Sequence, residues 1–289
     1  MKHKYLTDSA IETFIQAALQ EDLGTGPQAG DHSSLAAVPA DAQKSAQLLV
    51  KANGIVAGVA LAEKIFASVD KELQIEVLVQ DGSPVYVGDV VLTVSGNAQA
   101  ILKAERLMLN CMQRMSGIAT LTRRIVNLLQ GTATQILDTR KTTPNFRIPE
   151  KWAVSIGGGT NHRFGLFDMV MLKDNHIDFS GGITQAVEAT VNYLHKKGLD
   201  LKIEVETRNL KEVREALDIG KVDVIMLDNM SNEMMKEAVR LIGGKCQTEA
   251  SGAITEERVE AIAQCGVDFI SMGALTHSAG ILDLSLKAL

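Results

Sequence analysis

Cationic side chains cluster in one short stretch of an otherwise acidic chain. Between Asp138 and His176 there are six lysines and arginines and only four acids, whereas the 289-residue chain has a formal net charge of −6. These cations stand beside glycines and turn-forming residues, in Asp138–Pro144, Gly157–Arg163 and Lys173–His176. Arginine binds a carboxylate or phosphate through two parallel hydrogen bonds, and lysine adds a point charge. The stretch therefore predicts a site for a small anionic ligand.

The composition of the whole chain restricts the class of protein. An isoelectric point near 5.6 argues against a nucleic-acid surface, which requires a basic face. The sequence has no apolar run long enough to span a membrane and no apolar signal segment at its start. Cys111, Cys246 and Cys265 are far apart and lack metal-binding spacing. We therefore expect a soluble, cytoplasmic protein with reduced cysteines, without a nucleic-acid or membrane partner.

A repeated pattern begins after residue 135. Short apolar runs end at Glu206, Asp228, Ser251 and Gly273, which are separated by 22, 23 and 22 residues. This interval fits one strand, one helix and two short loops, so the pattern predicts repeated βα units. In a barrel of such units, ligands bind at the carboxyl ends of the strands. Because residues 116–275 hold only about seven units, we expect an incomplete α/β barrel.

The first part of the chain has a different pattern. A helix, several short strands and a second helix predict a small α+β unit, followed by a long helical stretch interrupted at Ser116-Gly117. We place the boundary there. The expected domains are an N-terminal α+β domain at 1–115, the barrel at 116–275, and a C-terminal segment at 276–289 that returns to the first domain.

Three charged residues at predicted strand ends have alternative interpretations. Lys173 follows an apolar run, so it could bind an anion or form a Schiff base. Glu206 and Asp228 occupy matching positions in successive units, where carboxylates suit ribose hydroxyls or magnesium. The alternative for both carboxylates is ion pairing with nearby lysines.

The remaining local signals are individually weak. Arg140 and Lys141 alone would more often form a solvated edge, and Arg163 beside glycines also fits an ordinary tight turn. Glycines near Ser251 and Gly273 precede predicted helices, whose free N–H groups bind phosphate, but turns are their default role.

An arginine in the long helix, Arg106, would alone be read as one half of a surface salt bridge with Glu105.

Ordered motifs along nearly the whole chain resemble those of the quinolinate phosphoribosyltransferase family, also called nicotinate-nucleotide pyrophosphorylase (carboxylating). The motifs are Ala18–Gly24, Glu105-Arg106, Leu109-Asn110, Ser116–Thr120, Asp138–Pro144, Gly157–Arg163, Lys173–His176, Glu204–Glu206, Leu227–Met230, Glu249–Gly252 and Gly273–Ser278.

The resemblance implies an N-terminal open-faced sandwich joined to an incomplete α/β barrel. It also implies a reaction in which phosphoribosyl pyrophosphate and quinolinate give nicotinate mononucleotide, pyrophosphate and carbon dioxide. The implied catalytic residues are Lys141, Lys173, Glu206 and Asp228. The implied substrate-binding residues are these four with Arg106, Thr139, Arg140, His162, Arg163, Ser251, Gly252, Ala253, Gly273 and His277.

Two further expectations follow from the resemblance. Glu206 and Asp228 would hold Mg²⁺ together with the pyrophosphate, and Mg²⁺ is the only cofactor expected. Arg106 would reach into the pocket of a neighbouring subunit, which requires a homodimer or a larger homo-oligomer.

The chain departs from the family pattern in three places. Ala253 replaces the second glycine of a Ser-Gly-Gly-Ile-Thr segment, and Asn145-Phe146 replaces the common Gly-Leu. The segment Gly26–Gly30 enlarges an early loop. Because Ala253 keeps its backbone N–H, we expect phosphate binding to survive.

Three alternative functions remain open on the sequence. One is a related phosphoribosyltransferase that acts on another small anion. Another is a Schiff-base lyase or aldolase that uses Lys173, and the third is a non-catalytic protein that binds a metabolite.

Overall fold

The computed structural model describes residues 5–289. The strands are β1 (Gln43–Val50), β2 (Gly54–Ile55), β3 (Gln74–Val77), β4 (Pro84–Val85), β5 (Val90–Asn97), β6 (Gln135–Leu137), β7 (Val170–Leu172), β8 (Ile203–Thr207), β9 (Val224–Asp228), β10 (Gln247–Ser251), β11 (Phe269–Ser271) and β12 (Leu284–Ala288). The α-helices are α1 (Asp8–Leu23), α2 (His32–Ala37), α3 (Val59–Val69), α4 (Ala98–Leu128), α5 (Arg147–Ile156), α6 (Asp174–Ser180), α7 (Ile183–Lys197), α8 (Leu210–Ile219), α9 (Asn232–Ile242), α10 (Glu256–Ala263) and α11 (Ala274–His277).

The chain forms two compact units, and neither is continuous in sequence. The first contains the residues up to Arg123, with Thr142–Gly158 and Ala274–Leu289. The second contains Arg124–Lys141 and Gly159–Gly273.

An antiparallel sheet with the strand order β12-β1-β5-β3 organises the first unit. Side chains of β1 alternate between its two faces, and Ala46, Leu48 and Val50 form a buried row. The α3 helix contributes the fully buried Ile65 and Phe66 to the core. The C-terminal strand β12 completes the sheet by pairing with β1 along Ala46–Val50.

The long helix α4 continues through Ser116 and Gly117, so the interruption expected there does not occur. Instead, Ser116 Oγ accepts a hydrogen bond from the Ala57 N–H at 2.8 Å and donates one to Ala57 O at 3.1 Å. A Cβ atom on residue 117 would overlap the Gly280 carbonyl. Both residues are therefore required by packing within the first unit, and neither ends the helix.

The second unit is built on six parallel strands in the order β6-β11-β10-β9-β8-β7. Its central strands are almost continuously buried, as expected for a parallel sheet covered by helices. The helices between them are amphipathic, and α8 buries Val213 and Ala216. These features confirm the predicted α/β architecture with an N-terminal antiparallel sheet.

The number of strands in the sheet is six, whereas the sequence spacing predicted about seven units. The difference arises between β6 and β7, where Thr142–Gly158 leaves the second unit to supply α5 to the first. On its return the chain makes only an isolated bridge between Thr160 and Leu137.

Across residues 5–289, no helix is long and apolar enough to cross a membrane.

Candidate active site

A cavity of about 300 Å³ lies in the second unit, bordered by residues at or near strand ends. It is lined by Thr139, Arg140, Lys141, His162, Arg163, Met171, Lys173, Met226, Glu249, Ser251 and Ser271. Seven of the residues predicted to bind substrate are among them, which brings together the cationic segments that are separate in sequence.

Two arginines of this cavity make few hydrogen bonds with the rest of the described chain. Arg140 Nε is buried and has no hydrogen-bond partner in the described part of the chain. Arg163 Nη1 donates one long hydrogen bond, of 3.3 Å, to Met169 O. Desolvation lowers the pKa of Arg163, and the nearby charge of Arg140 lowers that pKa further. An anion between the two guanidinium groups would relieve both effects.

The turn that presents His162 and Arg163 is fixed by Asp138, which is fully buried at the end of β6. Its carboxylate accepts the His162 N–H at 2.8 Å and the Asn161 side-chain amide at 2.6 Å. Hydrogen bonds to a buried carboxylate are strong, so this residue ties the turn firmly to the sheet.

His162 lies between two buried carboxylates. Its Nε2 atom is 3.1 Å from Glu204 Oε2 and 3.2 Å from Glu249 Oε2, and all three side chains are at most 6% exposed. Burial lowers the pKa of His162, but its interactions with the two carboxylates outweigh this effect and raise it to about 10. Burial raises the pKa of Glu204, and the neighbouring Glu249 raises it further, to about 7. The cluster therefore holds excess protons compared with the same groups in water.

The other ring nitrogen of His162 has a different environment. Nδ1 lies 2.6 Å from the Arg163 backbone N–H, a contact that favours a neutral ring. This single local contact opposes the influence of two buried carboxylates, and the carboxylates dominate because their charges are close and poorly screened. Both protonation states place a proton on Nε2. Although the three ligand atoms lie within 4.8 Å of one another, that proton occupies the lone pair that a metal would need.

Glu204 and Glu249 were not among the residues selected from the sequence. A signal for them was present, because side chains two residues apart in a strand lie on the same face. Glu204 precedes Glu206 by two residues in β8, and Glu249 precedes Ser251 by two in β10.

Lys173 is the N-cap residue of α6, and its backbone N–H donates to His176 Nδ1 at 3.0 Å. Its ammonium lies 3.4 Å from Glu206 Oε2, and its side chain is 49% exposed while that of Glu206 is 9% exposed. The ion pair expected as the alternative role of Glu206 is therefore present.

The ends of β9 and β10 bring together the polar residues predicted to bind phosphoribosyl. Asp228 and Ser251 are the last residues of these strands and are paired in register. Gly252 and Ala253 follow with φ angles of 94° and 46°, both in the left-handed region, before α10 begins. Gly273 follows β11 at the same end of the sheet.

A donor set suitable for Mg²⁺ is present at adjacent strand ends. Mg²⁺ prefers carboxylate oxygens and retains several waters, and both Glu206 and Asp228 offer such oxygens. Asp228 is half-buried and so keeps access to solvent and ligand. The residues present fit the expected ion.

Two predicted site residues belong to the first unit. Arg106 lines a groove of about 680 Å³ together with Phe14, Asn110 and Phe146. His277 is exposed in α11, and its Nδ1 is 2.5 Å from Ser278 Oγ.

Comparison with known proteins gives a consistent result over the whole chain. Residues 31–116 match the family described as Quinolinate phosphoribosyl transferase, N-terminal domain, and residues 118–287 match the corresponding C-terminal domain. The chain is 50% identical over 291 residues to a chloroplastic nicotinate-nucleotide pyrophosphorylase [carboxylating] of Arabidopsis thaliana, an alignment that covers 96% of this chain and 82% of that protein.

Solved structures agree with this assignment. The chain superposes with a TM-score of 0.90 and 38% identity on NadC from Streptococcus pyogenes, covering 98% of this chain and 99% of that one. The corresponding values for the nicotinate-nucleotide pyrophosphorylase from Francisella tularensis are 0.89 and 37%, with 98% of each chain covered. These matches, together with the shared motifs and the site geometry, show that the chain belongs to the quinolinate phosphoribosyltransferase family.

Proposed function

We propose that the protein transfers the phosphoribosyl group of phosphoribosyl pyrophosphate to quinolinate with decarboxylation. The products are nicotinate mononucleotide, pyrophosphate and carbon dioxide, a step of NAD biosynthesis. The observation that carries the proposal is the buried Arg140 Nε, which has no hydrogen-bond partner among the described residues and lies near Arg163. Lys173 lines the same cavity and forms an ion pair with Glu206. This arrangement suits a small anion bound next to a charged sugar phosphate.

The cations of the cavity would bind quinolinate. Quinolinate has two adjacent carboxylates, and burying them requires several compensating positive charges. Arg140, Arg163 and Lys173 supply such charges, with Lys141 and Thr139 at the border of the same cavity. His162 lines the same cavity, and its raised pKa favours a positively charged ring there.

The carboxylates at the strand ends would bind the phosphoribosyl group. Departure of pyrophosphate leaves positive charge on the ribose ring, which Glu206 and Asp228 would stabilise electrostatically. The N–H groups at Ser251, Gly252 and Ala253, before α10, would receive the 5′-phosphate, and Gly273 would complete that site.

The bond changes follow from this arrangement. The pyridine nitrogen forms a bond to the anomeric carbon as the bond from that carbon to the pyrophosphate oxygen breaks. The quaternary nitrogen then stabilises the electron pair left at the adjacent ring carbon when carbon dioxide departs, and a proton replaces the lost carboxylate. Mg²⁺ held by Glu206 and Asp228 would neutralise charge on the pyrophosphate.

The groove around Arg106 fits a second part of the proposal. An arginine on a helix of the first unit would enter the cavity of a neighbouring copy, so the active form would be a homodimer or a larger homo-oligomer. A cytoplasmic location is also proposed. It is supported by three cysteines without disulfide bonds.

A Schiff-base mechanism at Lys173 is less well supported by the same geometry. The Lys173 amine is half-exposed and lies 3.4 Å from the Glu206 carboxylate, so it is neither desolvated nor next to a cation. A Schiff-base lysine needs a desolvated or cationic environment to become a nucleophile. Borohydride treatment with substrate would trap no adduct at Lys173 under the proposed function.

The deciding experiment is incubation of the purified protein with quinolinate, phosphoribosyl pyrophosphate and Mg²⁺. Nicotinate mononucleotide is followed by chromatography, and released carbon dioxide is measured in parallel. Equal amounts of both products, dependent on phosphoribosyl pyrophosphate, are expected. Absence of both from folded protein that still binds phosphoribosyl pyrophosphate would point instead to a related enzyme with another acceptor.

A further inference from the structure

Asn229 has an unusual backbone conformation at the edge of the site. It follows the last residue of β9, is exposed, and has a φ of 54°, in the left-handed region. Asparagine tolerates this conformation better than most residues, but the conformation still carries a cost and persists where other contacts fix it.

The contacts of Asn229 join two strands. Its backbone N–H donates to Ser251 O at 2.9 Å, which extends the ladder between β9 and β10 beyond their last paired residues. Its side-chain amide donates to Asp228 Oδ2 at 2.7 Å. The same residue therefore restrains the carboxylate at the end of β9 and the turn at the end of β10.

The neighbouring glycine is shaped by the same contact. A Cβ atom on Gly252 would overlap the Asn229 side-chain oxygen and lie 2.8 Å from the Asn229 backbone nitrogen. Gly252 also has a φ of 94°, which side chains rarely adopt. The Asn229 side chain occupies the volume that a residue-252 side chain would need, so a glycine is required there before any ligand binds.

We propose that Asn229 is a positioning residue for the phosphoribosyl half of the site, which holds the Asp228 carboxylate and the Ser251-Gly252 turn in a fixed relation. This inference rests on the proposed function, because it assigns the ribose and the 5′-phosphate to these two groups. Asn229 acts through its neighbours: the amide orients Asp228, and the packed side chain orients the N–H groups of the turn.

The test compares ligand binding by the unmodified protein and by two variants, Asn229→Gly and Asn229→Asp. Asn229→Gly keeps the left-handed backbone and removes only the side chain. Asn229→Asp keeps the shape but places a carboxylate oxygen, instead of an amide donor, beside Asp228. Calorimetry measures the Kd of phosphoribosyl pyrophosphate with Mg²⁺ and, separately, the Kd of quinolinate. Thermal melting checks the fold.

The expected result is a loss of affinity for phosphoribosyl pyrophosphate alone. Asn229→Gly should raise the Kd for phosphoribosyl pyrophosphate by about tenfold, the lower end of the range for losing an orienting partner. Asn229→Asp should raise it further because the two carboxylates repel each other. The Kd for quinolinate and the melting temperature should stay near those of the unmodified protein. Unchanged affinity for phosphoribosyl pyrophosphate in either variant, or equal losses for both ligands with a lower melting temperature, would overturn the proposal.

A double-mutant cycle tests the contact with Gly252. Gly252→Ala should weaken phosphoribosyl pyrophosphate binding much less in the Asn229→Gly background, because the overlap with the side-chain oxygen is then gone. Both backgrounds share the cost of the left-handed alanine, so this cost cancels in the cycle. Strictly additive losses would show that the contact has no role.

Failure of the proposed function can be distinguished from failure of the inference about Asn229, because calorimetry requires no turnover. A protein that binds phosphoribosyl pyrophosphate but forms no nicotinate mononucleotide contradicts the reaction and leaves the role of Asn229 measurable.

Discussion

The imidazole of His162 and the carboxylate of Glu204 are in direct contact inside the second unit, with Nε2 and Oε2 separated by 3.1 Å. Glu204 has no exposed side-chain surface, and its Oε1 atom has no hydrogen-bond partner among the described residues. Glu249 presents a second carboxylate to the same nitrogen at 3.2 Å. Because one N–H cannot align well with two oxygens, the cluster takes up a further proton more readily than the same groups do in water.

This cluster predicts a fall in stability with rising pH. Both folded-state pKa values are raised, that of Glu204 from 4.5 to about 7 and that of His162 from 6.5 to about 10. A raised pKa means that the native state holds the proton more tightly, so the contribution is complete below the unfolded pKa and is lost as pH rises through the folded one. Glu204 should therefore lower stability between about pH 4.5 and 7, and His162 between about 6.5 and 10.

Glu204→Gln isolates the first of these effects. The amide cannot ionise, so the variant should gain stability relative to the unmodified protein as the pH rises from 5 to 7. Urea unfolding at intervals of pH measures this difference. Glu237→Gln, in an exposed pair with Arg240, is the matched control and should not change the slope over that range in the same direction. An identical pH dependence in Glu204→Gln and the unmodified protein would contradict the shifted pKa.

Arg163→Ala should reduce catalytic efficiency. The guanidinium is placed to form charge-assisted hydrogen bonds with an anion, and such bonds contribute roughly 1.5–3 kcal/mol, so kcat/KM should fall about ten- to a hundredfold. Steady-state kinetics with quinolinate varied measures the loss. Arg240→Ala is the control, because Arg240 is 75% exposed and forms a surface pair that contributes little. Equal catalytic efficiency in Arg163→Ala and Arg240→Ala would show that Arg163 does not contribute to substrate binding.

Arg106→Ala and Lys173→Ala together test whether the site is shared between subunits. If Arg106 enters the cavity of a neighbour, each variant alone should be inactive. A mixture should regain partial activity, because each hybrid dimer contains one cavity with neither substitution. Activity is measured after mixing, and subunit exchange is verified with a mass-tagged copy. Exchange without recovery would count against an arginine donated across subunits.

The residues at the carboxyl ends of the parallel strands could be predicted because successive strands are separated by a regular number of residues. The spacing of 22 and 23 residues located Glu206, Asp228 and Ser251 at or next to the ends of β8, β9 and β10. Local turn chemistry also identified the segments that contain Arg140 and Arg163. Both signals depend on residues close together in sequence, so they are visible without tertiary information.

The features that could not be predicted depend on distant partners. Gly117 resembles a helix break, but its role is set by Gly280, which is far away in sequence. The missing seventh strand results from a segment that joins the other unit. The pairing of His162 with Glu204 requires knowledge of which face of β8 meets the turn after β6, and residue spacing alone does not supply it.

Ala253→Gly should stabilise the protein. Ala253 and Asn145, two of the positions where the chain departs from the family's usual glycine, have φ angles of 46° and 62°. Asparagine accommodates this conformation, but alanine has no side-chain polar group to compensate. Relief of a left-handed alanine gains roughly 1–2 kcal/mol, while the freer unfolded chain of glycine costs roughly 0.4–1 kcal/mol. The net gain should be about 0.5–1 kcal/mol in urea unfolding.

The matched control for this prediction is Ala261→Gly, on the exposed face of α10. The same chemical change in a helix should destabilise by about 1 kcal/mol, because glycine is a poor helix former. The two substitutions should therefore shift the urea midpoint in opposite directions. If Ala253→Gly destabilises as Ala261→Gly does, the alanine at the phosphate turn is not under conformational strain, and its departure from the family pattern has no cost in stability.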